Sequence, residues 1–257
     1  MTRLVTVLVA ALLGASEVHA EELLVLTEEF KPYQYEDENG RPTGFMVELV
    51  GTILEESDID IEGGAIRIHP WAEAYDLLLD TDNAAAFMTV RTEEREDILK
   101  WVGPLTPRET WLYKLKDRDD IDVETLDDAK TYKVGGYQSA QSDYLLELGF
   151  EDVDIAPQES ANVERLLNGD VDLVPSLPLM MAQRLSDLGA SYGTVEKVLL
   201  LDGRYDYYLA LNPGVADATV EKLQATLNDA RRDGTYARLE TKYLDEAAGA
   251  VGAAERQ

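Results

Sequence analysis

Apolar runs of strand length alternate along the chain with amphipathic segments of helical period. Such alternation predicts α/β layers and disfavours a β-sandwich or a helical bundle. The predicted strands are Leu23–Thr27, Ala65–Ile68, Ala84–Val90, Thr110–Leu115, Thr131–Gly135, Val153–Ala156, Val171–Pro175, Val195–Leu201 and Tyr207–Leu211. The predicted helices are Phe45–Ser57, Trp71–Leu79, Ala140–Leu148, Glu159–Leu167 and Leu179–Leu188, then one with Val220, Leu223 and Leu227 on one face and one near Tyr236–Leu244.

Breaks in this alternation divide the chain into two parts. Between the strands that end at Val90 and begin at Thr110, the sequence predicts a polar, charged loop. The charge-dense segment 116–122 (KDRDDID) is typical of a domain boundary, and 202–204 (DGR) is typical of a turn. We therefore predict one lobe from residues 21–113 and 205–257 and a second lobe from residues 114–204. The Ala/Gly-rich tail from Ala247 is predicted to fray.

The first twenty residues have the pattern of a secretory signal peptide. Arg3 precedes the apolar run Leu4–Leu13, and Val18-His19-Ala20 precedes a cleavage site. That run is about half of the roughly 20 residues that span a bilayer, which favours a cleaved signal over a membrane anchor. The chain has no cysteine, which excludes disulfides, a thiol nucleophile and a lipid-modified cysteine. We expect a freely diffusing periplasmic protein without stable membrane insertion.

The net charge is extreme. Removal of residues 1–20 takes away Arg3 and Glu17, which leaves 22 basic and 50 acidic residues and a net charge of −28. Such a charge disfavours nucleic acids and anionic membranes as partners, because both bind through basic residues. The acids are spread along the chain, as on a surface suited to high salt, where repulsion is screened. A metal-storage surface is the alternative, but the chain has no EF-hand-like loop. We take a monomer as the default state.

The sequence offers little for catalysis or metal binding. The mature chain has one histidine, His69, and no cysteine, so a catalytic triad would depend on that single residue. A zinc site needs three or four convergent ligands, which one histidine does not supply. We therefore predict no catalytic residue, no metal and no cofactor, and interpret His69 as a structural residue.

Residues suited to holding a solute follow three of the predicted strands. Phe30 and Tyr33 follow the first strand and Trp71 the second, at the edge where open α/β sheets bind ligands. Two facing rings can sandwich a ligand, although rings here could also simply cover the core. Arg91 and Arg95 follow the third strand, and a guanidinium suits a two-point contact with a carboxylate. Their alternative is pairing with neighbouring glutamates.

The chain resembles the bacterial family of extracellular solute-binding proteins that serve polar amino acid ABC transporters. The resemblance spans residues 22–245 and implies two α/β lobes of the type II periplasmic-binding-protein fold, two hinge crossings and a ligand cleft between the lobes. It also implies that Phe30 and Trp71 form the walls of the site and that Arg95 grips a carboxylate. The segments that carry it are 30–33 (FKPY), 44–49 (GFMVEL), 92–96 (TEERE), 101–104 (WVGP) and 166–172 (LLNGDVD).

The chain departs from the family pattern at several positions. Of the small hydroxyl residues usual before the arginine motif, only Thr89 remains polar. The position of the acid that usually receives an α-amino group falls near Ser176-Leu177. Gln138 and Ser139 stand where a hydroxyl of the second lobe assists the carboxylate. The expected ligand is therefore an amino-acid-like solute or a small organic anion.

Two functions of different class fit this resemblance. The favoured one is a binding protein that closes over a solute and delivers it to an ABC transporter permease. The alternative is an enzyme of the same fold, such as a lyase resembling cyclohexadienyl dehydratase, because fold alone does not decide function. A receptor sensor domain is disfavoured because no transmembrane or kinase segment follows residue 245.

Overall fold

Strands and helices alternate through the structure in the predicted order. The structure is a computed structural model and describes residues 22–137, 140–156 and 160–243. The strands are β1 (Glu22–Thr27), β2 (Tyr35–Glu36), β3 (Pro42–Thr43), β4 (Asp60–Ile61), β5 (Arg67–Ile68), β6 (Ala84–Val90), β7 (Lys100–Pro107), β8 (Thr110–Leu115), β9 (Val134–Tyr137), β10 (Val153–Ala156), β11 (Val174–Ser176), β12 (Val195–Asp202) and β13 (Asp206–Leu211). The helices are α1 (Phe45–Glu56), α2 (Trp71–Asp80), α3 (Glu93–Glu96), α4 (Leu126–Ala129), α5 (Ala140–Glu147), α6 (Ser160–Asn168), α7 (Pro178–Asp187), α8 (Asp217–Arg232) and α9 (235–243).

The first sheet combines strands from both ends of the described chain. Its order is β4-β1-β6-β13-β7, and β5 also pairs with β1. Strand β1 runs parallel to β4, β5 and β6, whereas β13 runs antiparallel between β6 and β7. Successive side chains of β1 alternate between two cores, because neighbours in a strand point to opposite faces. Leu23 and Val25 pack with α1 and α8, and Leu24 and Leu26 pack with α2.

The strands between residues 110 and 202 build a separate unit. Strand β8 lies between β11 and β12, both antiparallel to it, and β9 pairs in parallel with β10. A bridge between Val134 and Leu173 joins the two pairings. One core of this unit contains Leu112 and Leu145, and the other contains Tyr113 and Met181. The chain thus has two α/β lobes.

Two short segments connect the lobes. The first crossing lies between β7 and β8, and the second lies between β12 and β13. The backbone N–H of Arg108 in the first crossing donates a hydrogen bond to the carbonyl of Tyr205 in the second, at 3.2 Å. The first lobe is therefore discontinuous in sequence, as the resemblance implies. The predicted boundary at residues 113 and 114 falls within β8, and the one at 204 and 205 falls between β12 and β13.

The prediction of a loop between Val90 and Thr110 is wrong, because residues 100–107 of this stretch form strand β7. This stretch contains Gly103 and Pro104, which read as breakers in the sequence, yet it pairs with β13 along most of its length. Proline cannot donate a ladder hydrogen bond and is tolerated on edge strands. Strand β7 is the last strand of its sheet, so Pro104 does not interrupt a second neighbour.

The predicted signal peptide and the tail from Ala247 lie outside the described residues. Within residues 22–137, 140–156 and 160–243, no helix has the length and apolarity that crossing a membrane requires.

Candidate functional site

Three parallel strands end at the same edge of the first sheet. Thr27 of β1 pairs with Ile68 of β5, and Leu26 pairs with Ala86 of β6. Phe30 follows β1, Trp71 begins α2 soon after β5, and the arginine segment 91–95 follows β6. The loops after parallel strands meet at their carboxyl ends, where open α/β sheets bind ligands. The structure therefore brings four predicted site residues, Phe30, Trp71, Arg91 and Arg95, to one edge.

Tyr33 lies behind Phe30. The two rings stack with their centroids 5.4 Å apart and an angle of 13° between their planes, and Tyr207 meets Phe30 edge-on at 6.3 Å. Phe30 keeps partial exposure, whereas Tyr33 is only 5% exposed. Tyr33, predicted to contact the solute, thus backs Phe30 and belongs to the core of the first lobe.

A glycine positions this aromatic loop on α1. The N–H groups of Phe45 and Met46, in the first turn of α1, donate hydrogen bonds to the carbonyls of Pro32 and Tyr33 at 3.2 and 2.7 Å. The loop approaches so closely that a Cβ at Gly44 would lie 2.5 Å from the carbonyl oxygen of Tyr33. The φ of +119° and ψ of 167° at Gly44 belong to a region that essentially only glycine adopts. The two sequence motifs at residues 30–33 and 44–49 are therefore parts of one contact.

Arg95 stacks on two aromatic rings of α2. Its guanidinium carbon lies 5.7 Å from the ring centroid of Trp71 and 4.8 Å from that of Tyr75. Its Nη1 donates a hydrogen bond to the carbonyl of Val90 at 3.0 Å, which ties the side chain to the end of β6. Arg95 makes no ion pair with any residue that the structure describes. Its charge is therefore held in place but left without a carboxylate partner. Tyr75, which supports it, was not predicted.

Arg91 already has a carboxylate partner. Its Nε and Nη2 donate hydrogen bonds to the two carboxylate oxygens of Glu96 at 2.6 and 2.5 Å. The guanidinium also lies over the rings of Trp101 and Tyr208, at 5.6 and 5.4 Å. The hydrogen bond from Arg91 lowers the pKa of the Glu96 carboxyl. The two arginines of the segment therefore differ, and only Arg95 has its charge free for an anion.

The predicted hydroxyl groups are engaged with the backbone. Thr89 is fully buried, and its Oγ1 donates a hydrogen bond to the carbonyl of Ala86 at 3.0 Å. It lies where β6 is irregular, next to Met88 with a φ of +59°. Ser176 ends β11 in the second lobe, and its Oγ donates to the carbonyl of Leu177 at 3.2 Å. Gln138 and Ser139 lie outside the described residues.

A buried carboxylate that the sequence did not single out joins the two crossings. Asp202 is 8% exposed and accepts hydrogen bonds from Arg108 Nη1 at 3.1 Å and Arg204 Nε at 2.9 Å. We call Asp202, Arg108 and Arg204 the crossing clamp. Burial would raise the pKa of the Asp202 carboxyl, but hydrogen bonds from Arg204 and the charges of both arginines hold it below its usual value. In the sequence this stretch shows only the signal of a turn.

The crossing clamp borders a cavity of about 530 Å³ between the lobes. Val90 lines it from the first lobe, and Tyr144 and Glu147 line it from α5 of the second. The guanidinium of Arg204 lies 5.0 Å from the ring centroid of Tyr144. A cleft between the lobes therefore opens beside the end of β6, as the resemblance implies.

His69 contacts a glutamate in the first turn of α2. Its Nδ1 lies 3.1 Å from a carboxylate oxygen of Glu73, and its backbone N–H donates to the carbonyl of Thr27 at 2.9 Å. No group of three or more histidine, aspartate or glutamate side chains arranged for a metal ion occurs in the described ranges.

Comparison with known families assigns the chain. The family model of bacterial extracellular solute-binding proteins, family 3, matches residues 23–246. The chain belongs to this family. A relative named "Probable histidine-binding protein" from Neisseria gonorrhoeae is 26% identical over 236 residues, which cover 86% of this chain and 82% of that protein.

Solved structures share the fold at low sequence identity. The second substrate-binding domain of Lactococcus lactis GlnP, in an open conformation, superposes with a TM-score of 0.70 at 16% identity over 88% of this chain and 96% of that domain. The unliganded L-cystine solute receptor of Neisseria gonorrhoeae gives 0.68 at 18% identity over 87% and 93%. The predicted two-lobed, type II periplasmic-binding-protein fold is confirmed, and the chain is a member of a family of solute-binding proteins.

Proposed function

We propose that this protein is a periplasmic solute-binding protein that captures a small carboxylate-bearing solute between its lobes and delivers it to the permease of an ABC transporter. The observation that carries the proposal is Arg95. Its guanidinium is fixed by Val90 and two rings at the shared edge of β1, β5 and β6, and it makes no ion pair with the described residues. In a chain of net charge −28, such a cation suits an anionic group of the ligand.

The aromatic residues support a site for a small solute with some apolar surface. Phe30 keeps partial exposure at the end of β1, and Trp71 does so at the start of α2. Facing or edge-on rings hold planar and aliphatic groups well. Thr89, Gln138, Ser139 and Ser176 remain candidates for polar contacts, with Thr89 and Ser176 needing to exchange their present backbone bonds for ligand bonds.

The ligand class is an amino-acid-like solute or an organic anion. The named relatives are a probable histidine-binding protein and an L-cystine receptor, which supports an amino-acid-like solute. Leu177 stands near the position where the family usually has an acid for the α-amino group, and it is 8% exposed in a largely apolar cluster with Tyr33 and Phe45. Because leucine in place of the acid offers no carboxylate to an ammonium group, we expect a ligand whose binding depends less on its ammonium group.

The remaining parts of the proposal concern the cell and the chemistry. Residues 1–20 act as a cleaved signal peptide. The mature chain has no cysteine to carry a lipid, so it diffuses freely. We take it to be a monomer. The chain is proposed not to be an enzyme. The match to a family of solute-binding proteins supports this.

A ligand screen followed by calorimetry tests the site. Thermal unfolding is measured against amino acids, carboxylates and amines, since a ligand at 100 times its Kd adds about 2.7 kcal/mol of stability. The best ligand is then titrated into Arg95→Lys, Arg95→Ala and the matched control Arg91→Lys. We expect at least a tenfold loss of affinity, about 1.4 kcal/mol, even in Arg95→Lys, because lysine keeps the charge but lacks the two-point fork.

The control Arg91→Lys should lose less affinity, because the Arg91 guanidinium already makes its two-point contact with Glu96. Circular dichroism checks that each variant is folded. Unchanged affinity in both Arg95 variants would remove Arg95 from the site and, with it, the argument for a carboxylate ligand.

A further inference from the structure

A second, smaller cavity borders the first crossing, in addition to the cavity beside the crossing clamp. Its volume is about 190 Å³. Pro107 and Glu109 line the smaller cavity, whereas Arg108 and Thr110 line the larger one. The two cavities share no lining residue. The smaller one is therefore a separate space.

Both lobes contribute walls to the smaller cavity. Tyr33, Phe45 and Thr106 come from the first lobe, and Pro178 and Leu179 come from α7 of the second. The rings of Tyr33 and Phe45 lie 6.5 Å apart, tilted by 35°. Most of the lining is thus aromatic or aliphatic, and any molecule bound there would touch both lobes.

The polar groups of this cavity lack a positive partner. Glu109 accepts a hydrogen bond from Trp111 Nε1 at 3.0 Å, and neither Glu109 nor Glu240 makes an ion pair with any described residue. The hydroxyl of Tyr33 makes no hydrogen bond to the described residues, although the residue is 95% buried. The cavity thus presents two carboxylates that have no ion-pair partner among the described residues, next to the Tyr33 side chain.

Glu240 lines the same cavity as Tyr33. The pKa of Tyr33 is raised by burial first, and then by Tyr207, Tyr236 and the negative charge of Glu240. A cation in the cavity would supply the charge partner that Glu109 and Glu240 lack among the described residues. Aromatic faces attract cations as well, and ammonium ions carry the N–H donors that carboxylate and phenol oxygens accept.

We propose that this cavity binds a small organic ammonium ion at a site distinct from the solute site at Arg95. The ammonium group contacts Glu240, Glu109 and the Tyr33 hydroxyl, and its alkyl part lies against Phe45 and Leu179. Because the walls come from both lobes, the bound cation favours the arrangement in which the lobes are in contact.

Thermal unfolding at constant ionic strength tests the proposal with ethylammonium chloride as the probe. Sodium chloride is replaced stepwise by the probe, so that screening of the net charge stays constant. We expect the Tm of the wild type to rise with the probe and calorimetry to show binding that is at least tenfold weaker in Glu240→Gln. The matched control is Glu221→Gln, an exposed glutamate of α8 outside the cavity, which should bind like the wild type.

Arg95→Ala separates the two sites. It should keep ethylammonium binding while losing the solute. The proposal is overturned by a wild-type Tm that does not rise, by a rise that persists undiminished in Glu240→Gln, or by loss of ethylammonium binding in Arg95→Ala, which would place the cation in the solute site. If Glu240→Gln does not fold in sodium chloride alone, Glu109→Gln takes its place with the same expected result.

Discussion

At the scale of single residues, two nearby glycines differ in whether a side chain could replace their hydrogen. Gly44 has a backbone conformation that other residues avoid, and its Cα faces the Tyr33 carbonyl. Gly51 lies inside α1, with no atom within 4 Å of the place where a Cβ would stand. The first glycine is needed for the contact between the aromatic loop and α1, whereas the second has no such role.

We expect Gly44→Ala to lower the free energy of unfolding by at least about 2 kcal/mol, because backbone strain and the contact at 2.5 Å add. The matched control, Gly51→Ala, should raise it by about 0.5–1 kcal/mol, since alanine favours the helix. Urea denaturation of both variants measures the difference. Equal stabilities would show that the loop moves to accommodate the methyl group.

The buried carboxylate of the crossing clamp predicts a pH dependence. Because the pKa of Asp202 is lowered in the folded state, its stabilising effect is complete above the unfolded pKa of about 3.9 and is lost as the pH falls towards the folded value. We expect Asp202→Asn to lower the free energy of unfolding by about 2 kcal/mol at pH 7. The gap between variant and wild type should narrow below about pH 4.

Urea denaturation between pH 7 and pH 3 follows this gap. The control is Asp217→Asn, which replaces an exposed partner of Lys100 and should change stability by less than about 1 kcal/mol. A gap that stays constant across the whole range would contradict the role assigned to the Asp202 charge.

Strand order was sufficient to predict which candidate residues meet at one edge of the first sheet. Phe30, Trp71 and Arg95 lie there because each follows a predicted strand, and parallel strands bring the loops after them together. The burial of Tyr33 and Thr89 depends on packing between distant segments, which one sequence does not show. The pairing of Arg91 with Glu96 was an open alternative, since three glutamates lie within the same few residues.

At the scale of elements, the prediction succeeded where the hydrophobic pattern of a segment was strong. Helix α1 carries Phe45, Leu49, Val50 and Ile53 on one buried face and begins at the predicted residue. Strand β6 was predicted with its observed bounds. Strand β7 was missed because Gly103 and Pro104 suggest a loop, and only the position at the sheet edge makes them acceptable in a strand. Local sequence does not reveal which strand will be an edge.

At the scale of the whole molecule, charge opposes compaction. The net charge is −28, and repulsion among the acids weakens when salt screens it. We expect the Tm of the mature protein to rise from low to high sodium chloride. Sucrose at equal osmolality serves as the control for effects unrelated to charge. A Tm that stays flat or falls with salt would refute the interpretation of the surface as suited to high salt.

The two crossings predict movement of the lobes as units. With β1–β7 and β13 in one lobe and β8–β12 in the other, ligand binding should change the angle between the lobes. Small-angle scattering with and without a saturating ligand from the screen measures this as a decrease in the radius of gyration. The Arg95→Ala variant, treated in the same way, should show no decrease. An unchanged radius in the wild type would argue against a hinge.

The contact of Arg95 with Trp71 also makes this tryptophan an intrinsic fluorescent probe of the site. Indole emission responds to charge and water near the ring, and the Arg95 guanidinium lies 5.7 Å from the Trp71 centroid. A carboxylate bound by Arg95 would change both the charge and the hydration near the Trp71 ring. The other two tryptophans are paired with different cations, Trp101 with Arg91 and Trp111 with Lys197, and so provide a separate background. Occupancy of the site can therefore be followed by fluorescence without an attached dye.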